Sequence, residues 1–266
     1  MARALERLAE VRRGGMEATA DIYPYIRNGI GLRSFIHPRH YAQGQGAFLP
    51  KLSDPEIRRQ LRHEIETDTH WENWYQHVGK NWDNVLIPSR GKSVQEVADE
   101  QGVDAWDAFF DLAQKGVGVN PKSMNEEQKH QALRDPFVCF DTDASPVNPA
   151  QSRGTHPRAF GTFSRVLAKY VRQEKVISLE EAIRKMTSLP ARILRMDEWG
   201  MIGKGKGADM VIFDPEKVQD KATFTDSPQF SEGIDYVIVS GQVVLDEGQI
   251  TGALPGKVIR HNRKRR

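Results

Sequence analysis

The sequence predicts an α/β fold that ends in a separate β-rich segment, and three observations support this prediction. An amphipathic helix at the N-terminus precedes a short strand, Glu17 to Ile22, whose polar neighbours gather at its carboxyl end. A second buried strand, Phe137 to Asp141, runs directly into Thr142 and Asp143. Beyond Gly200 the spacing of apolar residues changes from about 3.6 to 2. Strands that alternate with helices and carry polar residues at their carboxyl ends are typical of α/β proteins, which hold their sites there.

The composition describes a globular chain with little net charge. Its 266 residues are 38% hydrophobic and 28% charged, which is too apolar for a disordered chain. The net charge of +2 indicates neither a nucleic acid nor a membrane as partner. The single cysteine, Cys139, excludes an internal disulfide and a four-thiolate zinc site. Apolar runs fall far short of the roughly 18 residues of a membrane span. We expect a soluble protein and, because this chain carries no targeting signal, a cytoplasmic one by default.

The N-terminal and middle sections are mainly helical by pattern. Leu5, Leu8 and Val11 form one apolar stripe and predict a helix over residues 1–13, whereas residues 28–46, rich in Gly, His and Arg, are typical of a long loop. Asp54 followed by a proline predicts the start of a helix through residue 66, since Asp is a preferred N-cap and Pro a preferred first residue. A strand near residues 84–88 and three further helices follow. These helices are predicted near residues 93–100, 104–114 and 125–133.

The C-terminal section begins with a proline-containing loop, residues 144–157, and two helices, residues 160–174 and 178–188. Ser178 and Glu181 have the spacing of a capping box at the start of the second helix. Three strands are predicted after it, over residues 208–213, 234–239 and 242–245, with a tight turn at Ser240 and Gly241 between the last two. Because about 65 residues are too few for a full sandwich, we expect this segment to pair with strands from elsewhere.

Two residues stand out as candidates for chemistry. Asp143 follows a buried strand and lies two residues from Asp141, which suits a general base, although an aspartate at a strand end is also a common turn former. Arg158, in the sequence His156-Pro157-Arg158, lies on the loop that returns over the same strand end. A guanidinium can bind a carboxylate through two hydrogen bonds, so Arg158 suits an acidic substrate group, with a surface ion pair as the alternative.

Other patterns give weaker signals. No two of the eight histidines are separated by one residue, and the pair His63-Glu64 lacks the second histidine of a zinc-protease helix, because Thr67 occupies its position. His70 and His77 lie among aromatic residues, where packing is the expected role. The glycine- and lysine-rich stretch at residues 203–207 precedes a strand and predicts a flexible turn, not a phosphate loop. The basic tail at residues 261–266 lacks interleaved aromatics, so it does not predict nucleic-acid binding.

Four blocks together resemble the D-aminoacylase family, the N-acyl-D-amino-acid deacylases of the amidohydrolase superfamily. They are Thr19–Tyr25 (TADIYPY), His156–Phe163 (HPRAFGTF), Lys185–Ala191 (KMTSLPA) and Gly207–Asp214 (GADMVIFD). The resemblance extends from residue 1 to about 260 and is weaker between roughly 33 and 130. The last two blocks are shared widely among amidohydrolases, whereas the first two indicate the deacylases.

The resemblance implies the C-terminal half of a metal-dependent-hydrolase (β/α)8 barrel, joined to the C-terminal part of a small β-sandwich domain. Residues 1–197 would form the partial barrel with a helical insertion at about 47–133, and residues 198–260 the β segment. Family members use zinc to hydrolyse N-acyl-D-amino acids, which are small-molecule substrates. Asp143 matches the family's catalytic aspartate, Arg158 an arginine that binds the substrate carboxylate, and Tyr25 a tyrosine near that carboxylate.

The family's metal ligands precede the matched region, so the resemblance places them upstream of Met1. We therefore expect this chain to bind no zinc, to be inactive alone, and to self-associate through exposed barrel edges. The sequence leaves two alternatives open. One is a related dipeptidase or another N-acyl amide hydrolase, and the other is a non-catalytic remnant or half-protein that pairs with a separate N-terminal chain.

Overall fold

A computed structural model describes residues 1–151 and 154–259, so the predicted basic tail at 261–266 lies outside the described residues. The α-helices are α1 (Ala2–Arg13), α2 (Gln45–Phe48), α3 (Pro55–Thr67), α4 (Trp74–His77), α5 (Val94–Gln101), α6 (Ala105–Gln114), α7 (Glu126–Arg134), α8 (Arg158–Arg165), α9 (Leu179–Met186) and α10 (Ser188–Ile193). The strands are β1 (Ala20–Ile22), β2 (Ile30–Gly31), β3 (Val85–Ile87), β4 (Lys92–Ser93), β5 (Gly118–Pro121), β6 (Val138–Phe140), β7 (Met210–Phe213), β8 (Ile234–Val239), β9 (Gln242–Asp246) and β10 (Gln249–Ile250). Within these ranges, no helix combines the length and the apolar character of a membrane span.

The two strands predicted to carry polar residues at their ends are neighbours. β1 and β6 pair in parallel, with Asp21 opposite Cys139 and Ile22 opposite Phe140. Because parallel strands run in the same direction, their carboxyl ends meet at one edge, and the residues that follow both strands lie close together. All three residues of β6 are buried, whereas β1 is mostly exposed. The α/β prediction is thus confirmed at the level of mixed helices and strands with one parallel pair.

A second sheet, in the order β2-β5-β3-β4, is antiparallel throughout and packs with α3, α5 and α6 around a large core. Aromatic rings dominate this core, and those of Trp82 and Phe109 stack with centroids 4.8 Å apart. The predicted loop at residues 28–46 is more ordered than expected. It contains β2 and two 3-10 helices, Leu32–Phe35 and Pro38–Tyr41. These elements are too short to show a period, but Leu32 and Phe35 anchor them in the core.

The C-terminal segment forms its own antiparallel sheet in the order β7-β8-β9-β10. Ser240 and Gly241 both adopt positive φ, 49° and 78°, as the predicted tight turn requires. Within the described part of the chain this sheet pairs with no other strand, and its expected pairing with strands from elsewhere stays a prediction. The four strands pair only with one another, which leaves the outer edges of β7 and β10 without a strand partner in the described part of the chain, and both Val211 and Ile212 of β7 are about half exposed.

The predicted helix starts are largely confirmed. The Oδ1 atom of Asp54 accepts a hydrogen bond from the backbone N–H of Glu56 at 2.8 Å and caps α3. At α9, Ser178 accepts from the N–H of Glu181 as predicted. The reciprocal half of that capping box is absent, because the Glu181 carboxylate binds Arg184 through two contacts of 2.7 Å. The predicted helix over residues 160–174 is divided into α8 and a π-helix, Val166–Gln173.

A buried lysine joins α9 to the end of α7. Lys185 is fully buried, and its Nζ atom donates to the carbonyl oxygens of Leu133 and Asp135. These carbonyls lie at the C-terminus of α7, where backbone acceptors lack partners within the helix. Lys185 thus fixes the segment that leads into β6.

We expect Lys185→Met to lower the free energy of unfolding by about 1 to 3 kcal/mol, because the buried carbonyls lose their donor while the apolar stem is retained. Denaturant unfolding measures this change, with the exposed Lys115 substituted by Met as the control. Equal stability of the two variants would contradict the assigned role.

Candidate functional site

Asp143 and Arg158 form an ion pair at the carboxyl edge of the parallel strands. The Nη1 atom of Arg158 lies 2.6 Å from Oδ2 of Asp143. The Arg158 side chain is 12% exposed, whereas that of Asp143 is 58% exposed. Asp143 follows β6 and adopts a left-handed φ of 43°, and Arg158 is the first residue of α8. The two residues predicted from separate parts of the sequence are therefore in direct contact.

Tyr23, which follows β1, packs against the guanidinium of Arg158. The carbon Cζ of Arg158 lies 4.8 Å from the centroid of the Tyr23 ring, within the range of a cation–π contact. Nδ2 of Asn28 donates to the Tyr23 hydroxyl at 2.8 Å. Burial raises the pKa of Tyr23, and this effect outweighs the opposing effect of Arg158. Tyr23 is thus a neutral phenol at physiological pH that orients Arg158, a contact that the sequence analysis missed.

His156 holds the backbone at the start of α8. Its Nδ1 accepts a hydrogen bond from the backbone N–H of Arg158 at 3.1 Å, and its Nε2 donates to the carbonyl of Arg27 at 3.0 Å. Burial, helped by the positive charges of Arg158 and Lys129, lowers the pKa of His156 to about 3 despite the hydrogen bond to Arg27. The imidazole is consequently neutral, and both ring nitrogens are occupied. A Cβ at Gly29 would approach the ring to 3.2 Å, so the small residue makes room for it.

Asp141 and Lys129 lie behind the ion pair. Burial, together with the charges of Asp21 and Asp143, raises the pKa of Asp141, and the Asp141 Oδ1 atom is buried without a hydrogen-bond partner among the described residues. Lys129 is fully buried, and its Nζ donates to the carbonyl of Tyr23 at 2.8 Å. Carboxylates and cations therefore lie close together at the carboxyl ends of β1 and β6.

Tyr25 packs against the residues that precede Arg158 in the chain. Its side chain is buried, its hydroxyl donates to the carbonyl of Pro157 at 3.4 Å, and its ring meets the edge of His156 at 5.3 Å. A Cβ at Gly161 would lie only 2.8 Å from the Tyr25 hydroxyl, so this position in α8 requires glycine. The structure thus brings Asp143 and Arg158 together and places Tyr25 against the backbone that carries Arg158.

An open cleft of about 520 Å³ adjoins the ion pair. Asp143 and Arg158 carry the formal charges among the described residues that line it. Apolar and amide groups form much of the remaining wall, which includes Ile30, Pro88, Val119, Asn120 and Val147. The cleft can therefore admit a small molecule whose anionic group reaches Arg158.

The side chains near the cleft do not make a zinc site by themselves. The described residues contain no group of three or more His, Cys, Asp or Glu side chains arranged to hold a metal ion. Both nitrogens of His156, the nearest imidazole in the cleft wall, already make hydrogen bonds. Zinc sites in proteins require at least three such ligands, so a zinc ion here would need additional donors.

We expect His156→Gln to reduce the loss of unfolding free energy as the pH falls. The buried imidazole stays neutral down to about pH 3, whereas an unfolded chain protonates it near pH 6.5. Its stabilising contribution is present above pH 6.5 and is lost as the pH falls, by about 1.4 kcal/mol per pH unit. Chemical unfolding between pH 3 and pH 7 should show a shallower slope for the variant. Identical slopes would contradict the neutral, buried state of His156.

Comparisons with known proteins show which family the chain resembles. The sequence profile of the Amidohydrolase family matches residues 66–245. An N-acyl-D-aspartate deacylase from Alcaligenes xylosoxydans xylosoxydans is 37% identical over 179 residues, which are 67% of this chain and 34% of that protein. An N-acyl-D-glutamate deacylase from the same organism is 34% identical over 65% of this chain and 34% of its own length. The chain thus spans about a third of the length of these relatives.

Solved structures give the same result. The N-acyl-D-glutamate deacylase of Bordetella bronchiseptica, solved with zinc and a phosphonate that mimics the tetrahedral intermediate, is 28% identical with a TM-score of 0.66. It aligns with 91% of this chain and 43% of its own. A D-aminoacylase described as defining a novel subset of amidohydrolases is 26% identical with a TM-score of 0.65, over 94% of this chain and 45% of its own. The resemblance to D-aminoacylases is confirmed, and the chain belongs to the amidohydrolase family.

Proposed function

We propose that this chain contributes the substrate-binding part of a site that hydrolyses the amide bond of N-acyl-D-amino acids, and that it is inactive alone. The observation that carries the proposal is the largely buried guanidinium of Arg158, which borders a cleft beside the exposed carboxylate of Asp143. The names of the relatives supply the class of substrate, and all of those named here act on N-acyl-D-amino acids or are D-aminoacylases.

Arg158 is suited to bind the α-carboxylate of such a substrate. Tyr23 packs against its guanidinium, and His156 fixes its backbone, so few conformations are lost when a ligand binds. Its Nε atom is buried and has no hydrogen-bond partner within the described ranges. A carboxylate can accept two hydrogen bonds from a guanidinium, which provides both charge and orientation.

Asp143 is suited to accept and return a proton in the same reaction. It is the exposed member of the ion pair and lines the cleft into which the substrate would extend. General base catalysis requires a carboxylate within hydrogen-bonding reach of the proton that it abstracts. Zinc supplies an activated water in related hydrolases, but the described side chains do not provide its ligands.

The proposal extends to the fold of the whole chain and to Tyr25. We propose that β1 and β6 belong to a partial (β/α) barrel over residues 1–197, with residues 47–133 as an insertion and 198–260 as part of a β-domain. Exposed strand edges of such a half-barrel would favour self-association.

Tyr25 is assigned to the substrate carboxylate by resemblance. It contributes to the position of Arg158 through its hydrogen bond to the backbone of Pro157, whereas Tyr23 is the tyrosine in contact with the Arg158 guanidinium.

We expect the chain to bind N-acetyl-D-amino acids more tightly than their L-enantiomers, with Arg158 responsible for the carboxylate. Arg158→Lys keeps the charge but loses the two-pronged geometry, whereas Arg158→Ala loses both. The affinity should therefore fall in that order, by about ten- to a hundredfold for the alanine variant. Ligand-observed NMR measures the affinity. The carboxamide analogue is the control, because its affinity should not change when Arg158 is replaced. A preference for L-ligands would favour the related dipeptidases instead.

A second expectation concerns metal and turnover. Because the described residues lack a suitable donor group, the purified chain should bind zinc weakly and release no free amino acid from N-acetyl-D-amino acids. Native mass spectrometry and an amine-release assay test both points. Stoichiometric zinc, together with turnover that Asp143→Asn abolishes, would show that this expectation is wrong and that the chain holds a complete site.

A further inference from the structure

We propose that Asp143 occupies the carboxylate site of Arg158 when no ligand is bound, and that the substrate carboxylate must displace it. The inference rests on the proposed function and adds a role in specificity to Asp143. Asp143 and a substrate carboxylate carry the same chemical group, and the Nη1 atom of Arg158 already binds the first at 2.6 Å. The two carboxylates therefore compete for one guanidinium.

The burial of the two partners explains why the contact forms in the empty site. The side chain of Arg158 is only 12% exposed, and a buried cation without a counter-ion is costly. Tyr23 contributes a ring face but no formal charge at physiological pH, and His156 is neutral. Asp143 is the carboxylate that neutralises Arg158 within the cleft lining, so it stabilises the empty state.

The same geometry makes the contact easy to release. Asp143 is 58% exposed, so its carboxylate can return to water without a large desolvation penalty. It lies in the loop after β6 and has a φ of 43°, a left-handed conformation that aspartate tolerates better than most residues. A side-chain rotation is enough to move the carboxylate away from Arg158, and the buried strand behind it need not move.

The exchange has a consequence for specificity. While Oδ2 of Asp143 is bound to Arg158, the carboxylate is held against the guanidinium and away from the reacting bond of a substrate. A ligand with an α-carboxylate replaces Asp143 on Arg158 and frees it for proton transfer. An analogue with a neutral amide in place of the carboxylate leaves the ion pair intact. Asp143 thereby selects for anionic substrates in addition to its proposed role in the reaction.

The sign of one affinity change tests the inference. Asp143→Asn removes the competing charge and keeps the shape and the left-handed preference, so the chain should bind N-acetyl-D-alanine roughly tenfold more tightly. Asp143→Glu retains a carboxylate and should not show this gain. In an Arg158→Ala background, Asp143→Asn should have no effect on affinity, because the competition no longer exists. Titration calorimetry or ligand-observed NMR on the whole chain measures the unaltered protein, the three single variants and the double variant.

A second ion pair provides a matched control. Arg58 lies 2.5 Å from Asp111, with side-chain exposures of 18% and 50%, close to those of the Arg158 pair. Asp111→Asn changes the net charge by the same amount on a different surface, so it should leave the affinity for N-acetyl-D-alanine unchanged. A gain in affinity for this variant would assign the effect to net charge and overturn the inference.

The outcomes separate this inference from the proposed function. If Arg158→Ala weakens binding but Asp143→Asn leaves it unchanged or weaker, Asp143 does not compete and the inference fails while the proposed function stands. If Arg158→Ala has no effect, the carboxylate assignment fails and both fall. Thermal unfolding without ligand adds a further readout. Asp143→Asn should lower the melting temperature of the empty protein and enlarge its increase on saturation with N-acetyl-D-alanine.

Discussion

The parallel pairing of β1 with β6 is the constraint on which the candidate site depends. Asp21 lies opposite Cys139, and this register sets Tyr23 and Asp143 at the same edge although about 120 residues separate them. A shift by one residue would turn the side chains of a strand to the opposite face and separate these groups. The helices on either side support the register, because Lys185 holds the segment before β6 and Lys129 holds the segment after β1.

Buried charges of both signs are concentrated around this edge, and each has a specific partner. Lys129 donates to a backbone carbonyl, and Arg158 binds Asp143. Hydrogen-bonded charges are tolerated in a protein interior, whereas unpaired ones are costly. The exception is the Oδ1 atom of Asp141, which has no partner in the part of the chain that the structure describes. Unsatisfied polar atoms and shifted pKa values at one edge are typical of a functional site.

The sequence was sufficient to predict the elements with a strong local signal. The Asp54 cap, the Ser240–Gly241 turn and the strand before Asp143 all depend on residues that are adjacent in the chain. It was also sufficient to predict Asp143 and Arg158 as candidates, because Asp143 follows a recognisable buried strand and Arg158 lies within a recognisable block. What it could not give was long-range contact. Whether Tyr23 or Tyr25 faces Arg158 depends on how the start of α8 packs against the residues that follow β1, and Glu181 prefers Arg184 to its cap because a charged partner is within reach.

The neutral state of His156 determines how the site responds to pH. Because its pKa lies at about 3, its charge does not change anywhere in the range in which cells and most assays operate. This imidazole therefore causes no change in the electrostatic potential at Arg158 over that range. A bell-shaped activity profile near neutrality, of the kind usually ascribed to a histidine, would report on a different ionising group. Among the described residues, His156 is the histidine that lines the cleft. It holds the backbone of Arg27 and Arg158 through two hydrogen bonds and does not carry protons.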